Sequence, residues 1–373
     1  MLLSGGVDSS TALARLHESG RAGITAYYLK IWLEDDMRQL SACPWQEDLE
    51  YARAVCEQLG VPLRIVPMQR EYYDSVVRYA VDELQAGGTP SPDIFCNQRI
   101  KFGAFLERIG YESVDRVASG HYARLEHGTG GTRLLVSPDP VKDQTYFLSH
   151  LDQAQLRRAE FPIGDLQKRD VRSLAGRYDL PNKARKDSQG ICFLGNVRYR
   201  DFVRHYLGER GGAIVERETG RVLGRHRGFW FFTVGQRQGL GLSGGPWYVV
   251  EKHPEENTVI VSHRNRAVEQ GRSEFTAVNP CWVCGAPDRG RLSVKLRHGP
   301  KQVPCVIRWL NGGTRLAVRM DRPDRGVAPG QFAVFYDGEY CLGAGRITVE
   351  RECPAVFAGG GLDAEYAAAR GVS

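Results

Sequence analysis

The sequence predicts an α/β domain with a doubly wound parallel sheet, followed by a small connecting domain and a C-terminal antiparallel β-barrel. Three observations lead to this fold class. Short β-like runs alternate with helix-like segments as far as about residue 190, the order typical of a parallel sheet with crossover helices. Glycine and aromatic residues then become frequent. From about residue 270 apolar and polar residues alternate, as in antiparallel strands.

The alternating elements of the first domain can be placed in order. Each predicted helix is an amphipathic run, and two of them end at a glycine, a common helix stop. The predicted helices are Ser9 to Ser19, Glu47 to Leu59, Glu71 to Gln85 and the run IKFGAFLERIG after Arg99, and the predicted strands are GITAYYLKIW, VPLRIVPM and DRVASG. A strand normally precedes a Gly-rich turn of the kind found here, yet only Met1, Leu2 and Leu3 are present to supply it. We therefore expect a truncated first strand, in a fragment, a processed form or a chain with a misplaced start.

The later elements are shorter. FWFFTV, WYVVEK and NTVIVSH are predicted strands of the connecting domain, and RLSVKLRH, VPCVIRWL, TRLAVRM and QFAVFYDG are predicted strands of the barrel. A length of 373 residues fits two or three domains. We place their boundaries at 1–195, 196–267 and 268–352, with a flexible tail over 353–373.

Composition narrows the class of protein. Apolar residues make up 42% and charged residues 25%, values that exclude collagen-like, coiled-coil and wholly disordered chains. No run approaches the roughly 18 apolar residues of a membrane span, so no membrane partner is predicted. The net charge of +6 permits a polyanionic partner. Nine cysteines without dense spacing indicate a reducing compartment rather than a disulfide framework.

The motif SGGVDSS at residues 4–10 is the strongest local signal. Adjacent glycines let the backbone approach an anion, and the following helix brings the partial positive charge of its N-terminus. The motif lacks the Lys of a Walker loop, so it suits a departing pyrophosphate. The alternative is an ordinary Ser/Gly turn that caps a helix, and we favour phosphate binding.

Two cysteine motifs follow. Cys96 lies in TPSPDIFCNQRIKF, close to Arg99 and Lys101, which favour a thiolate. Asp93 is either a general acid or base or a helix cap. Cys192 lies in ARKDSQGICFLG, within a segment (157–204) that holds twelve Lys or Arg against six Asp or Glu. For both cysteines the alternative is a small buried residue. The local sequence does not decide for Cys96, and for Cys192 it slightly favours a buried residue in a strand ICFL.

Two further patterns have plain alternatives. Residues 291–325 contain nine Lys or Arg against two Asp, which indicates either a surface that follows RNA phosphates or a solvated charged face. We favour the RNA surface. Cys281 and Cys284 form a CxxC pair without a second pair or a nearby His pair. A zinc site is therefore the weaker interpretation, and we predict no metal-ligating residues.

Taken together, the motifs resemble those of the tRNA-specific 2-thiouridylases of the ATP-pyrophosphatase superfamily. The shared order is SGGVDSS, PDxxCNxxIKFxxF, KDQxYFL, KDSxGICFLG and GQRxGLGL, with GHYAR, PWYVVEK and APGQFAVFY, and it runs from Ser4 to about Val349. CPWQEDLEYARAVCEQLG is similar to the cyanobacterial and plastid branch. The resemblance implies ATP-dependent 2-thiolation of the wobble uridine of tRNA, with release of AMP and pyrophosphate.

The resemblance also implies roles for residues at matching positions. Cys96 would be the nucleophile, Cys192 the persulfide carrier, and Asp93 a catalytic residue. ATP would be held by Leu3, Ser4, Gly5, Gly6, Val7, Asp8, Ser9, Ser10, Leu29 and Gly120, with Mg²⁺ offsetting the phosphate charge. tRNA would contact Ser91, Pro92, Asp93, His121, Lys142, Asp143, Gln144, Arg297, His298 and Gln331.

The implied partners are tRNA and a sulfur-donor protein, either a cysteine desulfurase or a relay carrier. The implied compartment is the cytoplasm in a bacterium, and a plastid or mitochondrion in a eukaryote. Two other functions stay open from the sequence: a different adenylating enzyme of the same superfamily, and a tRNA-binding fragment whose ATP site is impaired.

Overall fold

The computed structural model describes residues 1–31, 44–187, 197–263, 271–310 and 313–349. The helices are α1 (Val7–Glu18), α2 (Pro44–Leu59), α3 (Gln69–Tyr72), α4 (Arg78–Gln85), α5 (Pro92–Phe95), α6 (Phe105–Ile109), α7 (Thr145–Leu148), α8 (Gln153–Arg158), α9 (Lys168–Arg177) and α10 (Tyr199–Leu207). The strands are β1 (Ala26–Lys30), β2 (Leu63–Pro67), β3 (Val117–Ala118), β4 (Ala123–Gly128), β5 (Gly131–Val136), β6 (Ala159–Glu160), β7 (Gly212–Glu216), β8 (Val222–His226), β9 (Trp247–His253), β10 (Thr258–His263), β11 (Arg272–Trp282), β12 (Arg291–Lys295), β13 (Val303–Leu310), β14 (Arg315–Asp324), β15 (Phe332–Asp337) and β16 (Tyr340–Thr348). None of the helices in these ranges is both long and apolar enough to cross a bilayer.

The first domain is built on a parallel sheet whose centre is formed by residues 1–3. β1 pairs with β2 and β3 pairs with β6, both in parallel. Residues 1–3 join the two pairs: Leu2 N donates to Ala118 O (2.8 Å), and Leu3 N donates to Tyr27 O (2.9 Å). The order is therefore β2, β1, residues 1–3, β3, β6. From residues 1–3 the chain continues to β1 and β2 on one side, and β3 and β6 lie on the other side. A topological switch point therefore lies at the carboxyl end of residues 1–3, where ligands of such sheets bind.

All four predicted helices of the first domain begin earlier than the sequence analysis placed them. The helix predicted to begin after Arg99 starts at Pro92 and continues from α5 through a π-helical stretch, Cys96–Ala104, into α6. The missed signal is local, because proline at the first helical position and an acidic residue in the first turn both mark a helix N-terminus. Likewise α3 and α4 are joined by a π-helical turn, Tyr73–Val77.

The connecting domain is a four-stranded sheet in the order β8, β7, β10, β9, with β7 and β10 parallel. The prediction of a strand for FWFFTV is wrong, because Phe229–Phe231 form a 3₁₀ turn. Phe229, Trp230 and Phe232 are all buried, and a tight turn buries consecutive aromatic rings that a strand would place on opposite faces.

The C-terminal domain is a closed antiparallel barrel. Its six strands run in the order β11, β14, β13, β12, β15, β16, and pairing of β11 with β16 closes it. A buried apolar core that includes Phe275, Leu316 and Phe335 fills the interior. The predicted fold class is confirmed, from the doubly wound parallel sheet to the barrel.

One hairpin of the first domain extends the barrel sheet. β4 and β5 pair with each other, and β5 pairs with β16 at Tyr340 and Cys341. The sequence analysis did not predict this hairpin, since its partner strand lies far away along the chain. The hairpin ties the two domains together through backbone hydrogen bonds.

A lysine at the junction of the domains predicts a pH dependence of stability. Lys252 Nζ donates to Gly88 O (3.2 Å) and Phe232 O (3.0 Å). Burial lowers the pKa of Lys252 to about 8, with Glu83 acting in the opposite direction. The unfolded chain thus binds more protons than the folded one between pH 8 and the ordinary lysine value, so Lys252 makes stability rise with pH across this window. In urea unfolding between pH 7.5 and 10, we expect the wild type to gain stability relative to Lys252→Met. Parallel curves would contradict this.

Candidate active site

The motif at residues 4–10 lies at the carboxyl end of the central strand and leads directly into α1. Gly5 has a left-handed φ of 75°, and a Cβ there would lie 2.1 Å from Asp48 O. Only glycine therefore fits. Gly6 is the N-cap of α1 and has no side-chain hydrogen bond to the first turn. The first-turn N–H groups of α1 are thus the donors that a helix N-terminus offers to an anion.

Two more predicted nucleotide contacts flank this loop. Gly120 follows β3, on one side of the central strand, and Leu29 lies in β1 on the other side. A Cβ at Gly120 would lie 2.7 Å from Ser9 N, so the β3 loop rests against the first turn of α1. The fold therefore brings the predicted ATP residues to one edge of the sheet, while their contact with ATP stays a prediction.

Gly120→Ala tests this close approach. The added methyl group overlaps the backbone at Ser9, so the first turn of α1 must shift. We expect affinity for ATP to fall by at least about tenfold, since a misplaced phosphate loop loses aligned N–H donors. Titration calorimetry with ATP measures the loss. Gly130→Ala is the matched control, because nothing lies within 4 Å of its Cβ position. Equal affinity of the two variants would contradict the prediction.

A network of charged side chains surrounds the loop. Lys168 Nζ contacts Asp8 Oδ1 (2.6 Å) and Asp187 Oδ1 (2.8 Å). Lys142 Nζ contacts Asp187 Oδ2 (2.6 Å), and Arg172 also pairs with Asp187. Burial acts to raise the pKa of Asp187, but hydrogen bonds from Lys142 and Lys168 hold it well below its usual range. Asp187 thus remains ionised and pairs with three cationic side chains beside the phosphate loop.

A second set of contacts fixes the loop itself. Asn182 Nδ2 donates to Gly5 O (2.8 Å) and to Ser10 Oγ (2.8 Å). Arg185 Nη1 donates to Gly5 O (3.1 Å), and its other nitrogen pairs with Asp48. The sequence analysis missed Lys168, Arg172, Asn182, Arg185 and Asp187 as site residues. The excess of Lys and Arg over 157–204 was the available signal.

Cys96 lies one turn into the helix that begins at Pro92. Its side chain is 1% exposed, so a substrate atom reaches it only when neighbouring groups move. Arg99 stacks on Phe95, with its guanidinium carbon 3.9 Å from the ring centre. Lys101 Nζ donates to Asn97 Oδ1 (2.9 Å). The burial of Cys96 agrees with its interpretation as a small buried residue, and its role as a nucleophile stays a prediction.

Asp143, a predicted tRNA residue just before α7, contacts the predicted tRNA residue His298 of the barrel. His298 Nε2 lies 3.0 Å from Asp143 O, and the ring stacks on Phe147. Burial lowers the pKa of His298, and the charge of Asp93 is near enough to act in the opposite direction. Asp143 is itself buried and pairs with the buried Lys295 Nζ (2.8 Å). The Asp143 carboxylate therefore holds the domains together, and its side chain faces away from solvent.

The other predicted tRNA residues differ in exposure. Gln144 Oε1 accepts from Tyr122 N (2.9 Å), and Arg297 makes a two-pronged ion pair with Asp324. His121 is buried, with Nδ1 2.7 Å from Ser119 Oγ, and burial followed by the charge of Lys101 lowers its pKa well below the usual value. The remaining predicted contacts are half-buried Ser91, Lys142 and Gln331 and buried Pro92.

The predicted persulfide carrier, Cys192, and the predicted tail over 353–373 lie outside the described residues. Cys281 and Cys284 have thiols whose pKa values are raised by burial. Within the described ranges, no group of three or more His, Cys, Asp or Glu residues could hold a metal ion.

This arrangement is suited to binding a phosphate group. A helix N-terminus and several cations meet at the switch point of a parallel sheet, and a buried thiol follows a loop that also contacts a barrel. The fold and the loop therefore define a protein of the pyrophosphate-loop class, with a C-terminal antiparallel barrel.

Comparison with known proteins identifies the family. Three family models match: "tRNA methyl transferase HUP domain" over residues 1–196, "tRNA methyl transferase PRC-barrel domain" over 200–263, and "Aminomethyltransferase beta-barrel domain" over 272–347. The chain is 45% identical to tRNA-specific 2-thiouridylase MnmA 1 of Bacteroides thetaiotaomicron over 354 residues, which is 93% of this chain and 98% of the relative. It is 43% identical to MnmA 2 of Bacteroides fragilis (93% and 98%) and 42% identical to MnmA of Porphyromonas gingivalis (94% and 99%). The chain belongs to the tRNA-specific 2-thiouridylase family, which confirms the prediction from its motifs. The cyanobacterial and plastid branch stays a prediction.

Proposed function

We propose that this protein replaces the carbon-2 oxygen of the wobble uridine of tRNA with sulfur, using ATP to activate that oxygen. The observation that carries the proposal is the glycine-built loop at residues 4–10, placed at the switch point with cations beside it. Family membership supports the choice of tRNA as the substrate, since the relatives named above are tRNA-specific 2-thiouridylases.

Different residues of the chain contact different parts of the bound ATP during activation. The first-turn N–H groups of α1 and the hydroxyl of Ser4 bind the departing pyrophosphate. Lys168 and Lys142 turn from their carboxylate partners toward phosphate oxygens as ATP enters. Gly120 and Leu29 line the nucleotide on either side of the loop. Activation is needed because a carbonyl oxygen is a poor leaving group, whereas AMP is a good one.

A magnesium ion fits this loop with few protein ligands. Mg²⁺ in phosphate sites is bound by one or two carboxylates together with substrate oxygens and water. Asp8, in the first turn of α1 and partly exposed, would hold it once Lys168 has turned toward phosphate. When bound, the ion neutralises phosphate charge.

Sulfur enters as a persulfide on Cys192, and two routes lead to the same products. In the first, the terminal sulfur attacks carbon 2, AMP leaves, and the Cys96 thiolate attacks Cys192 Sγ to break the S–S bond. In the second, Cys96 attacks Cys192 Sγ first and releases hydrosulfide, which then attacks carbon 2. Either route gives 2-thiouridine, AMP and a Cys96–Cys192 disulfide. Two equivalents of an external thiol, or one dithiol, reduce that disulfide before the next cycle and are themselves oxidised to a disulfide.

The tRNA is held between the first domain and the barrel. The charge of Asp93 acts on His298 across this junction, and Ser91 and Arg297 belong to the same two segments. Basic residues of 291–325, such as the exposed Arg291, track phosphates. The wobble base must leave the anticodon stack to reach Cys96. In this proposal Ser91, Pro92 and Asp93, which precede Cys96 in the chain, contact the extruded base. A cysteine desulfurase or a relay carrier supplies the sulfur.

The test is reconstitution with purified protein. The full chain is incubated with ATP, Mg²⁺, unmodified tRNA, a cysteine desulfurase with cysteine, and a reductant. Nucleoside mass spectrometry is expected to show 2-thiouridine, together with equal amounts of AMP and pyrophosphate. Binding of tRNA without AMP formation would favour a catalytically impaired tRNA-binding fragment. AMP formation on another acceptor would favour a different adenylating enzyme.

A further inference from the structure

The segment 86–91 connects α4 to α5 and contacts all three domains. Gly88 N donates to Glu83 O (2.8 Å) within the first domain. Lys252 Nζ, from the connecting domain, donates to Gly88 O (3.2 Å). Thr89 N donates to Pro329 O (2.8 Å), in the barrel. The chain that leads to Asp93 and Cys96 is therefore positioned by contacts from outside its own domain.

Glu83 lies at the centre of this junction. It is a carboxylate with 8% exposure, and it makes a two-pronged ion pair with Arg346 of β16, with a shortest N–O distance of 2.7 Å. Buried glutamates are rare unless they are paired. A Cβ at Gly88 would lie 1.8 Å from Glu83 Oε1, and one at Gly330 would lie 2.3 Å from it. The carboxylate therefore fills the space between two glycines, one from each domain.

The same contacts extend to predicted tRNA residues on both sides. Tyr79 lies one turn before Glu83 on the same helix face, and its hydroxyl accepts from Ser91 N (3.3 Å). On the barrel, Ile347 N, adjacent to Arg346, donates to Gln331 O (2.7 Å). The Glu83–Arg346 pair thus links the loop before Cys96 to the barrel segment that holds Gln331.

We infer that Glu83 is a positioning residue: its ion pair with Arg346 couples the position of the barrel to the position of the segment 86–91, which leads to Asp93 and Cys96. This inference rests on the proposed function for its catalytic consequence, though its structural part does not. Docking of tRNA on the barrel would then set the loop that receives the wobble base. A purely structural pair would stabilise the fold without affecting that loop more than other regions.

The test is a double-mutant cycle with Glu83→Gln, Arg346→Gln and the double variant. Each single variant leaves one partner without its counter-charge, whereas the double variant holds two neutral amides. We expect each single variant to lower kcat and to raise KM for tRNA, with a combined loss in kcat/KM of about tenfold or more. Affinity for ATP should not change. The double variant should recover most of the loss. Amide hydrogen exchange, measured without tRNA, should increase over 86–93 in the single variants and return toward wild type in the double variant.

Ile347→Ala is the matched control for simple destabilisation. It lies next to Arg346 in β16, and its side chain is buried in the barrel core. The inference would be overturned if the single variants lowered the melting temperature as Ile347→Ala does but left hydrogen exchange over 86–93 and kcat/KM unchanged. A wild type that forms no 2-thiouridine would count against the proposed function instead, and the exchange measurements would still decide whether Glu83 positions the loop.

Discussion

Cys96→Ser is expected to lower 2-thiouridine formation by about 10³-fold or more, a loss typical of removing a covalent nucleophile. Serine fits the buried site with little change in volume, but its hydroxyl can neither break the persulfide S–S bond nor form the disulfide. Binding of ATP and tRNA should therefore persist. The same loss is expected for Cys192→Ser. Single-turnover reactions followed by nucleoside mass spectrometry measure the rate, and filter binding measures tRNA affinity.

Cys56→Ser provides the matched control for a buried thiol in the same domain. Cys56 is 3% exposed, and burial raises its pKa to about 11, so it is a neutral thiol at physiological pH. We expect thiolation by Cys56→Ser to remain within about twofold of wild type, since a volume-conserving change costs little. Full thiolation by Cys96→Ser would rule out the mechanism proposed for that residue.

Lys295→Met is expected to lower the free energy of unfolding by about 3–5 kcal/mol, the usual cost of leaving one member of a buried ion pair alone. Asp143 and Lys295 are 2% and 3% exposed, so water cannot replace the lost partner. Thr145 Oγ1 also donates to Asp143 Oδ2 (2.9 Å), but a hydroxyl does not neutralise the carboxylate. Urea unfolding followed by tryptophan fluorescence measures the loss.

Lys301→Met is the exposed control for Lys295→Met. It lies in the loop before β13, and we expect a change within about 0.5 kcal/mol. The double variant Asp143→Asn, Lys295→Met should regain part of the stability, because the uncompensated charge is gone. Equal stability of Lys295→Met and Lys301→Met would show that the pair contributes nothing.

Much of the fold could be predicted because it follows from local periodicity. VPCVIRWL occupies the same residues as β13, and the alternation of short strands with helices identified the parallel sheet. Spacing alone could not reveal the β4–β5 hairpin on the barrel, since a strand's partner is set by tertiary packing rather than by its own pattern. The aromatic run at 229–234 led to a wrong strand prediction for a related reason, because a turn can bury aromatic side chains as well as a strand can.

The part of the site that consecutive residues form could be predicted from the sequence. The contacts between residues far apart in the chain could not. The glycines of the phosphate loop are necessary at their positions, and the motif displays them. The Lys168–Asp187 contact joins residues far from the loop in sequence, and the excess of Lys and Arg over 157–204 could not show which of them contact it, since a lysine on an amphipathic helix is ordinarily a solvated charge. His121 and Asp143 were predicted as tRNA contacts from their motifs, but their burial, like that of Lys295, could not be read from the sequence.

The hairpin that completes the barrel sheet bears on how the chain folds as it is synthesised. Leu135 pairs with Tyr340, so about 200 residues must be translated after the hairpin before its partner exists. At 5–20 residues per second this takes roughly 10–40 s. During that time β5 presents an unpaired strand edge, which is a template for aggregation. The nascent chain therefore has a period of vulnerability that ends only when β16 leaves the ribosome, and chaperone dependence should be greatest in that period.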